Sequence, residues 1–339
     1  MVGFRRRGEE IRQYILSNIE HPDIAQVTSH HFGISRQAAN KHLQHLAKQK
    51  IILVSGKTRN RHYELAPLVQ WENTFSLKTS LQEDIVWRNS IMPLLGEMSD
   101  NTIEIWSYGF TEMLNNAIDH SCGDYVCIQV TKTAIKTKIV IWDNGEGIFV
   151  KIQKAFRLLD ERHSVLELSK GKLTTDPTRH TGEGIFFSSR LFDNFAILSG
   201  NVYFSHTHNE IEDWILESQK EQTGTYVFME LMNNTSRKIK QIFDNFTSGD
   251  EYGFSKTVVP VRLAKYGDEL LMSRSQAKRL LARIDRFKTV IFDFDNVSSL
   301  GQAFADEVFR VFSLQNKHIE LHYINANKEV TDMINRVKS

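Results

Sequence analysis

Five prolines and two cysteines in 339 residues leave little to punctuate this chain and nothing to staple it. Cys122 and Cys127 are spaced unlike a zinc knuckle and are too few for a disulfide framework. They are expected to be packing residues in a reducing compartment. No stretch approaches the roughly 20 continuous apolar residues a spanning helix needs, and the basic start Met1 to Glu10 has no apolar run after it. A soluble, cytoplasmic protein without membrane contact is expected. No internal repeat or low-complexity tract occurs. Net charge is also nearly missing, 42 Lys and Arg against 41 Asp and Glu, but the balance hides a split. Up to Phe75 there are eleven basic and six acidic residues, net +5, leaving 31 and 35, net −4, for the rest. Such a split points to a polyanion partner for the N-terminus alone.

A chain of this length should divide into about two or three domains, because single cores stop growing well before it is used up. Pattern changes near Pro67 and Pro260 suggest three segments, 1–75, 76–235 and 236–339. In the first, Ile11, Ile15, Leu16 and Ile19 recur at helical spacing, and Ile24, Val27 and Phe32 mark a second helix closed by Gly33. A third helix starts at Ser35, a good N-cap, and carries Ala39, Leu43 and Leu46. Ile51 to Val54 and Arg61 to Leu65 read as strands around the turn Gly56 to Asn60.

This succession resembles a winged helix-turn-helix. The resemblance implies a third helix in the major groove, with Ser35, Arg36, Gln37, Asn40 and Lys41 facing the bases. Arg and Asn can pair with guanine and adenine edges, and Lys57, Arg59 and Arg61 on the wing would suit phosphates. DNA is the expected partner; a protein-docking role for the same module stays open.

The middle segment carries four signals in order. Thr111 to Ser121 has an apolar stripe of Met113, Leu114, Ala117 and Ile118, with Glu112, Asn116 and Asp119 on the other face of one helix. A carboxylate and a carboxamide one turn apart can hold a water and a magnesium ion beside a triphosphate. In Ile139 to Ile148 an apolar strand delivers Asp143 into a glycine turn. In Arg179 to Asp193, Gly182 and Gly184 lead into a helix whose N–H groups can cradle phosphate. Last comes a Gly-Thr pair at Gly224 and Thr225. Taken singly, each has a bland reading: a solvated helix face, a hairpin turn, a weak G-x-G, a strand start.

Together, from about Ile85 to Met232, they resemble the gyrase, heat-shock chaperone, histidine kinase and MutL (GHKL) superfamily. Asp143 follows Glu112 by 31 residues and Gly182 follows Asp143 by 39, which fits. The resemblance implies an α/β sandwich of the Bergerat type that binds ATP with Mg2+. Asn116 is then the metal ligand, with Asp119 beside it, and Glu112 the general base. Asp143 takes the adenine amino group with support from Thr225; Gly145 and Gly147 shape the adenine side. Gly182 and Gly184 line the phosphates, and Asp160 to Arg179 forms a mobile lid from which Lys172 and Arg179 reach the γ-phosphate. His120 stands where gyrase-like members carry a second acid. No histidine occurs between His62 and His120, so an autophosphorylating histidine kinase is disfavoured.

In the last segment apolar strands (Val258 to Leu263, Glu269 to Met272, Thr289 to Phe294, His318 to Tyr323) alternate with helices, one capped by Ser273 and one starting at Gly301. Val290 to Phe312 resembles the STAS-like domains found beside such ATPases. That resemblance implies a protein partner, and GHKL serine kinases phosphorylate STAS partners near the place Ser298 and Ser299 occupy. The whole is therefore an α+β to α/β multidomain chain: winged helix, ATPase, STAS-like domain. Three functions are consistent with it. One is an ATP-gated transcriptional regulator, slowly hydrolysing ATP. Another is a protein-serine kinase. The third is a nucleotide-gated interaction module, and homodimerisation is open in each.

Overall fold

The computed structural model describes residues 2–56, 61–174, 181–208, 214–247, 253–265 and 269–338. The N-terminal unit has three helices, α1 (Val2–Ser17), α2 (Ile24–Phe32) and α3 (Arg36–Lys48), and a hairpin of β1 (Ile52–Ser55) and β2 (His62–Leu65). Each boundary has a local cause. Asp23 accepts from the Gln26 amide and opens α2, and Gly33 at φ 60° closes it in the left-handed region. Ser35 then accepts from Ala38 N at 3.1 Å to open α3. Ile15, Leu43, Leu46 and Ile52 form the small core, and Ala134 and Ile135 of the middle unit pack against it.

The middle unit is an antiparallel five-stranded sheet in the order β3-β4-β5-β7-β6. Its strands are β3 (Val69–Ser76), β4 (Tyr125–Lys132), β5 (Lys136–Asp143), β6 (Asn194–Thr207) and β7 (Trp214–Met232). The division at residue 75 falls inside β3, which pairs with β4 from Val69 to Ser76. Alternation along β5 decides the faces: Ile139, Ile141 and Asp143 point into the core, while Trp142 stacks on Tyr226 on the other side, centroids 5.8 Å apart. Between β3 and β4 come α4 (Glu83–Val86), a π turn Trp87–Ile91, α5 (Met92–Leu95) and the long α6 (Asp100–His120). Pro93 sits in the first turn of α5, where the missing N–H accompanies the widened turn before it. α7 (Ile148–Phe156), α8 (Glu161–Lys170) and α9 (Gly184–Leu191) follow β5. With α6, helices α7 and α9 cover the core face of the sheet.

The C-terminal unit begins with α10 (Ile239–Asp244). It holds a parallel sheet, β10-β9-β8, of β8 (Lys256–Pro260), β9 (Thr289–Asp293) and β10 (Glu320–Ile324). α11 (Arg274–Leu281), α12 (Gln302–Asp306), a π turn, α13 (Ser313–Gln315) and α14 (Lys328–Lys338) pack on it. Ser273 caps α11 through a full capping box with Gln276. The strand expected over Val258 to Leu263 ends at Pro260 and tightens into a 3-10 turn, Val261–Ala264. Among the described residues, Glu269 to Met272 gives an isolated bridge, Leu271 to Leu300, rather than a strand. The described residues include no helix long and apolar enough to cross a membrane.

Candidate functional site

A cavity of about 390 Å³ opens between α6, α7, the end of β5 and the segment leading into α9. α6 brings Glu112 and Asn116, one turn apart, to its wall, while the buried stripe Met113, Leu114 and Ala117 faces the opposite way or forms the floor. β5 delivers Asp143 at its last position, 4 % exposed. The Asp143 carboxylate accepts from the Gly145 amide at 2.8 Å, which folds the turn back over it. Burial pushes its pKa up, partly offset by hydrogen bonds from the backbone of Gly145 and Thr225. Thr225 Oγ1 accepts from Ile148 N at 3.0 Å and so ties β7 to the start of α7.

Two glycines here leave room for neighbours, and for Gly224 that room is against backbone. Gly224, at φ 82°, would place a Cβ 1.9 Å from the Asp143 carbonyl oxygen. Gly184, at the head of α9, would place one 2.0 Å from Glu112 Oε2. The Glu112 carboxylate therefore lies directly over the start of a helix, next to Asn116. An oxygen-rich pair beside exposed helix N–H groups fits a hard cation shared with an anionic ligand. Among the described residues, no group of three or more His, Cys, Asp or Glu could hold a metal by itself.

Of the residues singled out in the sequence, Glu112, Asn116, Asp143, Gly147, Gly182, Gly184 and Thr225 line this one cavity. Gly145 shapes the turn without lining it, since its missing Cβ leaves room for the Ser121 carbonyl, 2.0 Å from where that Cβ would stand. Asp119 is exposed and does not line the cavity, whereas His120 and Ser121 after it do. Lys172 turns away. Its ammonium donates to the Arg286 carbonyl at 3.3 Å and lies over the Phe287 and Phe254 rings, at 5.1 and 5.6 Å. Arg179 lies outside the described residues. The expected lid begins instead as a packed helix: His163 through Lys170 of α8 are all buried. Gly224 and Thr225 sit inside the long β7, beside a register shift in β6 at Ser199 and Gly200. Cys127 packs in the sheet as expected, but Cys122 is exposed just past α6.

The sequence reading missed Lys151. It lines the cavity and donates to the His120 carbonyl at 2.7 Å, at the C-terminal end of α6. Its signal was available, since Lys151 lies one helical turn after Gly147 on a helix that the glycine turn opens. Glu183, between the two glycines, has a pKa raised by burial, with Lys172 pulling it down.

In the N-terminal unit, Ser35, Arg36, Gln37 and Lys41 are exposed at the start of α3, Asn40 is half-buried, and Arg61 is exposed on β2's approach. Arg36 is held by both oxygens of Asp23, at 3.0 and 3.1 Å. Lys57 and Arg59 lie outside the described residues.

The C-terminal unit is a layered α/β domain with a short parallel sheet. A family model described as a STAS-like domain of unknown function (DUF4325) matches residues 276–331, from α11 into α14. The C-terminal unit is thus STAS-like. Comparisons with curated proteins and with solved structures give no significant match.

Proposed function

We propose that the chain is an ATP-binding regulator: a GHKL-type nucleotide site in the middle unit, a DNA-binding winged helix before it and a STAS-like domain after it. One observation carries the nucleotide reading. Seven residues chosen from four separate sequence signals, spread from Glu112 to Thr225, face a single cavity. In this reading Asp143 accepts the adenine amino hydrogen, Asn116 offers its oxygen to Mg2+, and the amides from Gly182 to Gly184 donate to phosphate oxygens. The magnesium ion would neutralise phosphate charge. Glu112 orients the attacking water and takes its proton, and Lys151 adds a cation at the wall. Bound nucleotide shifts the protein only as far as it prefers one arrangement. Titration of the purified chain with a fluorescent adenine nucleotide and Mg2+ tests the site; failure to retain it removes the reading. Glu112→Ala is expected to lower phosphate release at least about 100-fold with binding largely kept.

Phosphoryl transfer to Ser298 or Ser299 of the same chain is less well supported. Lys172, beside the cavity residues Leu173 and Thr174, meets Arg286 and Phe287 before the N-terminal end of β9. The two serines follow its C-terminal end, about 15 Å of strand away. A kinase reaction would therefore need a second molecule as acceptor. Hydrolysis without labelled protein supports the regulator; label lost on changing both serines supports the kinase.

A further inference from the structure

We propose that the STAS-like unit is the part of this chain on which the nucleotide site acts directly, through α8 and α9, with Lys170 as the joining residue. The inference rests on the nucleotide reading above and adds to it a partner for the site, the chain's own C-terminal unit.

The argument starts with a buried charge. The Lys170 side chain is 2 % exposed, and its ammonium donates to Glu167 Oε1 at 2.8 Å, Ala282 O at 2.8 Å and Arg279 O at 3.4 Å. The two carbonyls end α11, where a cation meets the negative end of the helix dipole. Glu167 Oε2 pairs in turn with Arg283 at 2.9 Å, and Thr257 of β8 donates to the Lys170 carbonyl at 2.7 Å. All three ammonium protons are thus used, two of them across the boundary between units. Separating the units would break two of these three bonds, so α8 and α11 are held together.

The same short stretch reaches the cavity. Leu168, Leu173 and Thr174 line it, and Leu173 N donates to Gly182 O at 3.1 Å. Gly171, at φ 81°, lets the chain pass against Phe254: a Cβ there would meet its ring at 2.5 Å. α9 repeats the arrangement. Its first residue, Gly184, touches Glu112, while Phe186 and Phe187 are buried in the C-terminal core. Phe187 stacks on Phe243 at 3.9 Å, and Phe186 lies 4.6 Å from Phe254. Both walls of the phosphate end are therefore anchored in the STAS-like unit. The N-terminal unit, in contrast, packs on the β4–β5 turn at Ala134 and Ile135. That turn lies about 23 Å along β5 from Asp143. Along the described strands, nucleotide reaches it through the length of the sheet.

Hydrogen–deuterium exchange on the full chain, with and without a non-hydrolysable ATP analogue and Mg2+, tests this. Nucleotide binding is measured separately by titration. Exchange in 254–264 and 274–287 should slow at least about fivefold on binding, the lower end of ordinary coupling between sites. In Lys170→Met the nucleotide should still bind while that slowing shrinks toward none. Phe187→Leu, a milder change in the second anchor, should reduce it partly and guards against a variant that fails to fold. Binding with protection confined to the cavity, or with protection in 11–65 instead, overturns the inference and leaves the nucleotide site standing. Absence of binding overturns the nucleotide reading itself.

Discussion

Asp143 combines two demands that oppose each other. Both its oxygens are free to accept only when it is ionised, yet it sits 4 % exposed, where burial favours the protonated form. Its folded-state pKa lies above the unfolded value, so the native state binds more protons and this residue's contribution to stability declines as pH rises through that window. Asp143→Asn keeps the acceptor for Gly145 N and removes the buried charge. The free protein is therefore expected to gain about 0.5–2 kcal/mol at neutral pH, read by denaturant unfolding, while adenine nucleotide binding is weakened. In the unchanged protein, nucleotide affinity should weaken on acidification at a pH above the ordinary carboxylate range, and this loss should vanish in the variant's residual binding.

Among the elements, α8 stands out because it is charged in sequence and buried in structure. Glu167, Lys170 and Arg283 form one ion network whose members are mutually required. Removing one partner of such a network leaves the others uncompensated and costs about 3–5 kcal/mol, whereas removing a matched pair costs less. Lys170→Met leaves Glu167 paired with Arg283 but takes the donor from the Arg279 and Ala282 carbonyls, so it is expected to destabilise the C-terminal unit, and Glu167→Gln, which leaves both cations unpaired, to destabilise it more. A double-mutant cycle by denaturant unfolding measures it; strict additivity would show that the pair is not coupled. α9 is held differently, by aromatic packing of Phe186 and Phe187, each contributing about 1.5–3 kcal/mol by burial.

For the whole molecule, the charge split and the exposed start of α3 make the N-terminal unit the proposed DNA face. Affinity for duplex DNA should fall steeply with salt, as counterion release requires. Arg61→Ala should weaken binding evenly across sequences and lower the slope of log K against log salt by about one. A slope near zero in filter binding would favour protein docking by the same unit. Arg36, held by Asp23, has to exchange that partner for a base or phosphate, so its change should cost less than its position suggests.

How much of this could be read from the residues depends on the range of the interaction. Local rules found the capped helices α2, α3 and α11, the period-two strand β5 and the glycine turns, because each is set by neighbours a few positions away. Glu112, Asn116, Asp143 and the paired glycines were nominated by the order of four short signals, through their resemblance to the GHKL superfamily. The convergence of those residues on one cavity was decided by the sheet order β3-β4-β5-β7-β6, which joins strands far apart in the chain. So was the fate of the charged stretch after Asp160. Read alone, Glu167 and Lys170 look solvated; only α11 and Arg283, more than 100 residues later, supply the partners that allow them to be buried. Lys172 turned away for the same reason: Arg286, Phe254 and Phe287 hold it, and that packing is not written in its own segment.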